Sequence, residues 1–249
     1  MNVLVHFHTA NLQSLFQVIG SADRELLQDI GVTFGSEYRS ADEEEEVEDS
    51  FGEDEDEKGP DWELDEAEAD AGREIVTKMV MVGLPHDMSE DEAYAVQDFM
   101  AAYALRSDEV APFEAEEVLD GTLPEEIAEE LEDDCRRLLT RGASIDEFGD
   151  LFEWLVEREA STELTTRIQM LYLGRLPESD ESTFTDLEEE TYSARFGYLF
   201  GEEAATIVDE LDELLENTED EPMPLAYALS CLFNYCNVQN TDLLVTIEE

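Results

Sequence analysis

His6-Phe7-His8 is the one short motif in the sequence with the makings of a metal site. Side chains alternate between the two faces of a strand, so both imidazoles would stand on one side. Some zinc hydrolases use that geometry. Such sites need further imidazole or carboxylate ligands at defined places, and the sequence offers one more histidine, His86. With 68 carboxylates in the chain, an Asp or Glu close by carries no information. The plainer expectation is a strand whose two polar residues face outward or hydrogen-bond at a sheet edge.

Other constellations are weaker. Asp54-Glu55-Asp56-Glu57-Lys58-Gly59 has the outline of an EF-hand loop, with Asp65 at the twelfth place. Lys58 stands where a ligand is required, Pro60 follows the glycine, and Asp61 fills the usual apolar position, so no defined calcium site is expected. Cys231 and Cys236 are five apart with no histidine near, which is neither a zinc nor a redox spacing. Together with Cys135 they read as reduced thiols packed in apolar helices. Asp150, Glu153 and Glu157 near Trp154 read as a solvated helix face. No nucleophile motif, phosphate-binding glycine loop or dinucleotide fingerprint occurs, so neither cofactor nor catalytic residues are expected.

The elements that would position these residues are mostly helical. Val3, Val5 and Phe7 alternate with Leu4, His6 and His8, predicting a short strand. Leu12, Leu15, Phe16 and Ile19 fall at helical spacing up to Gly20, and Ser21 is placed to cap a helix carrying Leu26, Leu27 and Ile30. From about Tyr38 to Pro60 the chain is nearly all Glu, Asp, Ser and Gly, and residues 40–61 read as an acidic, disordered insertion. A helix through Ile75, Val76, Met79 and Val80 stops at Gly83-Leu84-Pro85. Three capping boxes follow, at Ser89–Glu92, Thr122–Glu125 and Ser144–Glu147, each ahead of a helical apolar pattern. Helices are expected over 164–173, 204–215 and 225–238, and a closing strand over 243–247. The expected fold is α+β, predominantly α-helical, a single domain over residues 1–249. It has about eight helices and short terminal strands able to pair.

Leu12-x-x-Leu15-x-x-x-Ile19-Gly20-Ser21-x-Asp23-x-x-Leu26-Leu27 resembles the opening motif of an uncharacterised prokaryotic family, a domain of unknown function. Phe196-Gly197-Tyr198-Leu199 and the ending Asp242-Leu243-Leu244-Val245-Thr246 are similar to later segments of that family. The acidic insertion and the absence of aromatic residues near the end depart from its pattern. The resemblance implies one folded unit and, the family having no assigned activity, adds nothing about chemistry or active residues.

Charge completes the reading. The chain carries 68 acidic and 13 basic residues, a formal balance of −55. Residues 41–70 hold 18 of the acids and one base, which leaves 50 acids against 12 bases elsewhere, still about −38. In dilute buffer such self-repulsion weakens a compact state. In molar salt the Debye length falls to roughly 3 Å and the repulsion is screened. Lysine is nearly absent, with Lys58 and Lys78 against eleven arginines. A halophilic origin is therefore expected.

No basic stripe offers itself to nucleic acid, and the same charge repels an anionic membrane surface. The N-terminal residues lack the charged start and apolar run of a signal peptide, so a cytoplasmic protein is expected. The expected role is non-enzymatic contact with another protein, such as antagonism of a basic partner. A metal-dependent hydrolase using His6 and His8 is the alternative, and an acidic mimic of nucleic acid the second.

Overall fold

The computed structural model describes residues 4–23, 26, 66–85, 87–120, 128–177, 179–183, 195–216 and 222–248. The acidic insertion, the EF-hand-like stretch, His86 and the Thr122–Glu125 capping box lie outside the described residues. Residues 1–16 and 97–249 form one compact unit and residues 17–96 another.

The larger unit is built around an antiparallel sheet. Strand β1 (Leu4–Ala10) pairs along its full length with β5 (Asp242–Glu248), from Leu4 opposite Glu248 to Ala10 opposite Asp242. The expected pairing of the terminal strands is therefore present. The other edge of β1 is divided between β2 (Val110–Ala111), opposite Thr9 and Ala10, and β3 (Ala143–Ser144), opposite Leu4 and Val5. Strand β4 (Arg195–Leu199) pairs with the far side of β5, giving the order β2-β1-β5-β4. No alternation marks β4 in the sequence, because residues 196–199 are all buried.

The register sorts side chains onto two faces, since residues opposite one another share a face. Val5 and Phe7 lie with Ile247, Val245, Gly197, Leu199 and Leu243 on one. His6 and His8 lie with Thr246, Leu244, Phe196 and Tyr198 on the other.

Nine helices occur among the described residues. In the larger unit the chain first makes α1 (Leu12–Leu15), whose Asn11 side chain accepts the Ser14 N–H. The expected helix to Ile19 is shorter than its apolar spacing implied, tightening into a 3-10 turn over Phe16–Val18. Helix α2 (Glu66–Val82) belongs to the smaller unit, and α3 (Glu90–Ala104) contributes residues to both. Then come α4 (Ala115–Leu119), α5 (Ala128–Arg141), α6 (Ile145–Glu157), α7 (Thr162–Tyr172), α8 (Gly201–Glu216) and α9 (Pro224–Gln239).

Helix α9 is the hub, packing on α4, α5, α6 and α8 as well as β5. Its buried residues, Leu225, Ala226, Ala228, Leu229, Ser230, Cys231, Leu232, Phe233 and Cys236, run round most of its circumference. That pattern suits a helix enclosed by others rather than lying on a surface. It ends at Asn240 in the left-handed conformation, φ 51°, and β5 begins two residues later. Helix α7 lies so close to β4 that a Cβ on Gly197 would come within 2.0 Å of the Leu171 carbonyl oxygen. Only glycine allows that approach.

Capping chemistry follows the sequence. Ser144 Oγ accepts the Glu147 N–H at 3.3 Å while Glu147 accepts the Ser144 N–H at 2.7 Å, a reciprocal box that starts α6. In the smaller unit Ser89 and Glu92 do the same at 3.3 and 2.7 Å. There the expected cap at Ser21 is displaced: Asp23 accepts the Leu26 N–H at 3.2 Å, while Ser21 Oγ accepts that of Asp23. Also in this unit, the Val80 carbonyl near the C-terminus of α2 accepts the Ala22 N–H, and the Met79 carbonyl accepts the Gly20 N–H as well as that of Gly83.

Candidate functional site

The densest set of charged and polar side chains in the described residues lies beside β4. It is assembled from the loop after α7, the start of α8 and the first residue of α3 that belongs to the larger unit. Gly174, φ 76°, turns the chain out of α7 and delivers Arg175, which is 3% exposed. The Arg175 N–H donates to the Phe196 carbonyl at 2.9 Å, so the segment runs along the outer edge of β4. Its guanidinium reaches Glu203 in the first turn of α8 through two parallel bonds, Nη1 to Oε2 at 2.6 Å and Nη2 to Oε1 at 3.0 Å. Nε donates to the Ser179 carbonyl at 2.6 Å. The cation lies over the Tyr198 ring, 4.6 Å from its centroid, an arrangement that suits a desolvated arginine.

Glu203 takes two more donors: Arg167 Nη1 at 2.6 Å and the Phe200 N–H at 3.0 Å. Four N–H groups thus fill a carboxylate that has about four acceptor sites. Burial alone would raise the Glu203 pKa. Hydrogen bonds from Arg175 and Phe200, with the charges of Arg175 and Arg167, outweigh burial and hold the carboxyl below its ordinary range. An anion that stays ionised and has every lone pair engaged is neither a general base nor a nucleophile in this arrangement. The cluster fastens β4, α7 and α8 together.

Gln97 closes the same edge. It is fully buried; its Oε1 accepts the Phe196 N–H at 2.8 Å and its Nε2 donates to Thr183 Oγ1 at 3.1 Å. Phe196 therefore has both outward backbone groups satisfied, one by Gln97 and one by Arg175. That removes a strand edge on which another chain would otherwise pair. Phe16 covers the same side of the sheet, its ring 5.1 Å from Tyr198 and 6.1 Å from Phe196.

A second carboxylate ties chain segments remote in sequence. Asp242 Oδ2 accepts the Leu12 N–H and Oδ1 the Gly201 N–H, both at 2.9 Å. One side chain thus serves the first residue of both α1 and α8, satisfying donors that helix starts leave open. Glu210 of α8 likewise holds the start of α7, accepting the Ser161 N–H at 2.7 Å and its hydroxyl at 2.6 Å.

His6 and His8 are half-buried on one face of β1, as their spacing required. His8 Nε2 is 3.1 Å from Thr246 Oγ1, and His6 stands opposite Thr246 in the register. The structure brings the pair to a threonine of β5. Among the described residues no group of three or more His, Cys, Asp or Glu side chains is placed to hold a metal ion.

Asp150, Glu153 and Glu157 are exposed along α6, and Trp154 is buried under Arg158, whose cation lies 4.4 Å from the ring centroid. Cys135, Cys231 and Cys236 are buried and form no disulfide. Burial pushes the Cys135 thiol up to about 12, with lesser contributions from Cys231 and Asp134. Burial and then Asp242 push Cys236 to about 12 as well. Thiols so far from ionisation are inert packing groups.

Asp98 on α3 had no sequence signal. Desolvation raises its pKa to about 7, and among the described residues its buried Oδ1 has no hydrogen-bond partner. Arg175 and Glu203 also escaped notice, although a lone arginine in the apolar stretch Leu173-Gly174-Arg175-Leu176 is conspicuous in a chain so poor in bases.

No family model, curated protein or solved structure matches the chain. Among the described residues no helix is long and apolar enough to cross a membrane.

Proposed function

We propose that the protein is a cytoplasmic, salt-adapted acidic protein that works by binding another, positively charged protein rather than by catalysing a reaction. The observation that carries this reading is how charge is allocated. Arg167 and Arg175 are spent on Glu203, Arg136 on Glu116 and Glu132, and Arg137 on Glu147. Outward, the helices present further carboxylates: Glu114 and Glu117 at α4, Asp133 on α5, Asp146, Asp150, Glu153 and Glu157 on α6, and Glu202, Asp209, Glu213 and Glu216 on α8. Among the described residues the Arg175–Glu203 cluster is saturated from within, while these exposed carboxylates offer an anionic surface to a partner. Complementary cations would engage it in direct contact, since molar salt screens steering beyond a few ångströms.

Co-purification from native extract at the organism's own salt concentration, followed by neutralisation of α6 (Asp150→Asn, Glu153→Gln, Glu157→Gln), tests the proposal. It requires a basic protein captured by the parent chain and lost or weakened with the variant. Stoichiometric zinc or manganese that disappears in a His6→Ala/His8→Ala variant would instead support the metal-dependent hydrolase.

A further inference from the structure

We draw no further inference here: the strongest candidate, the buried Asp98 carboxyl on α3 with its raised pKa and its unbonded Oδ1, would suit a pH-sensitive switch but carries nothing, because nothing in the structure shows which charged groups face it.

Discussion

Arg175 and Glu203, 28 residues apart in sequence, meet through two parallel hydrogen bonds with the arginine almost wholly buried. Arg167 shares the same carboxylate, and the exposed Asp180 adds a looser contact 3.6 Å from Arg175 Nη2. Removing one partner of a buried pair leaves the other charge desolvated, at a cost of about 3–5 kcal/mol. Glu203→Gln keeps the shape and deletes the charge, and it should lower stability by about 3 kcal/mol. Arg175→Met combined with Glu203→Gln should recover part of that loss. Chemical denaturation of the three proteins in high salt checks the order.

The same carboxylate sets an acid limit. Its folded pKa lies below its ordinary value of 4.5, so the pair's stabilisation is present above pH 4.5 and is lost as pH falls through the lower folded value. The stability gap between parent and Glu203→Gln should therefore be constant at neutral pH and shrink below pH 4.5. A gap that stays constant into strong acid would refute the pairing.

Asp98 runs in the opposite sense. Its pKa rises from 3.8 to about 7 on folding, so the folded state holds the proton more tightly and stability falls as pH climbs from about 4 to about 7, then levels off. Asp98→Asn mimics the protonated form. It should match the parent near pH 4 and exceed it above pH 7 by about 4 kcal/mol, on the order of 10 °C in Tm. Thermal melts of both proteins across that range read the difference directly.

Gly197 is tested sterically. A methyl there would meet the Leu171 backbone, which has no flexible end to yield. Gly197→Ala should force α7 from β4 and destabilise by about 2–3 kcal/mol, in the range of overpacked cores. Gly149, on α6, has nothing within 4 Å of its would-be methyl, so Gly149→Ala should be neutral or stabilising and serves as the control.

What the sequence made legible was local. The Ser144–Glu147 and Ser89–Glu92 boxes span four residues each, and α7, α8 and α9 repeat their apolar positions within a turn or two. The terminal strands were readable from β-patterned residues at each end. What escaped depends on remote contacts. β4 is a five-residue strand with buried residues on both faces, so no alternation marks it, and Gly197 at its centre interrupts the β-propensity of Phe196 and Tyr198. Gln97 finds Phe196 across 99 positions, and Asp242 finds Leu12 across 230. Strands β2 and β3, two residues each, exist only because β1 presents an edge to them.

The proposal, a salt-adapted protein whose anionic surface meets a basic partner, rests first on the fold needing high salt, and a far-UV circular dichroism melt of the full chain in potassium chloride tests that most directly. At about 0.1 M the Debye length is roughly 10 Å and repulsion among the carboxylates of α4, α5, α6 and α8 is felt; at about 3 M it is screened. The account predicts a helical signal and Tm that collapse at the low end and recover at the high end. A protein fully folded and equally stable at about 0.1 M would contradict salt adaptation, and the surface charge would then rest on partner binding alone.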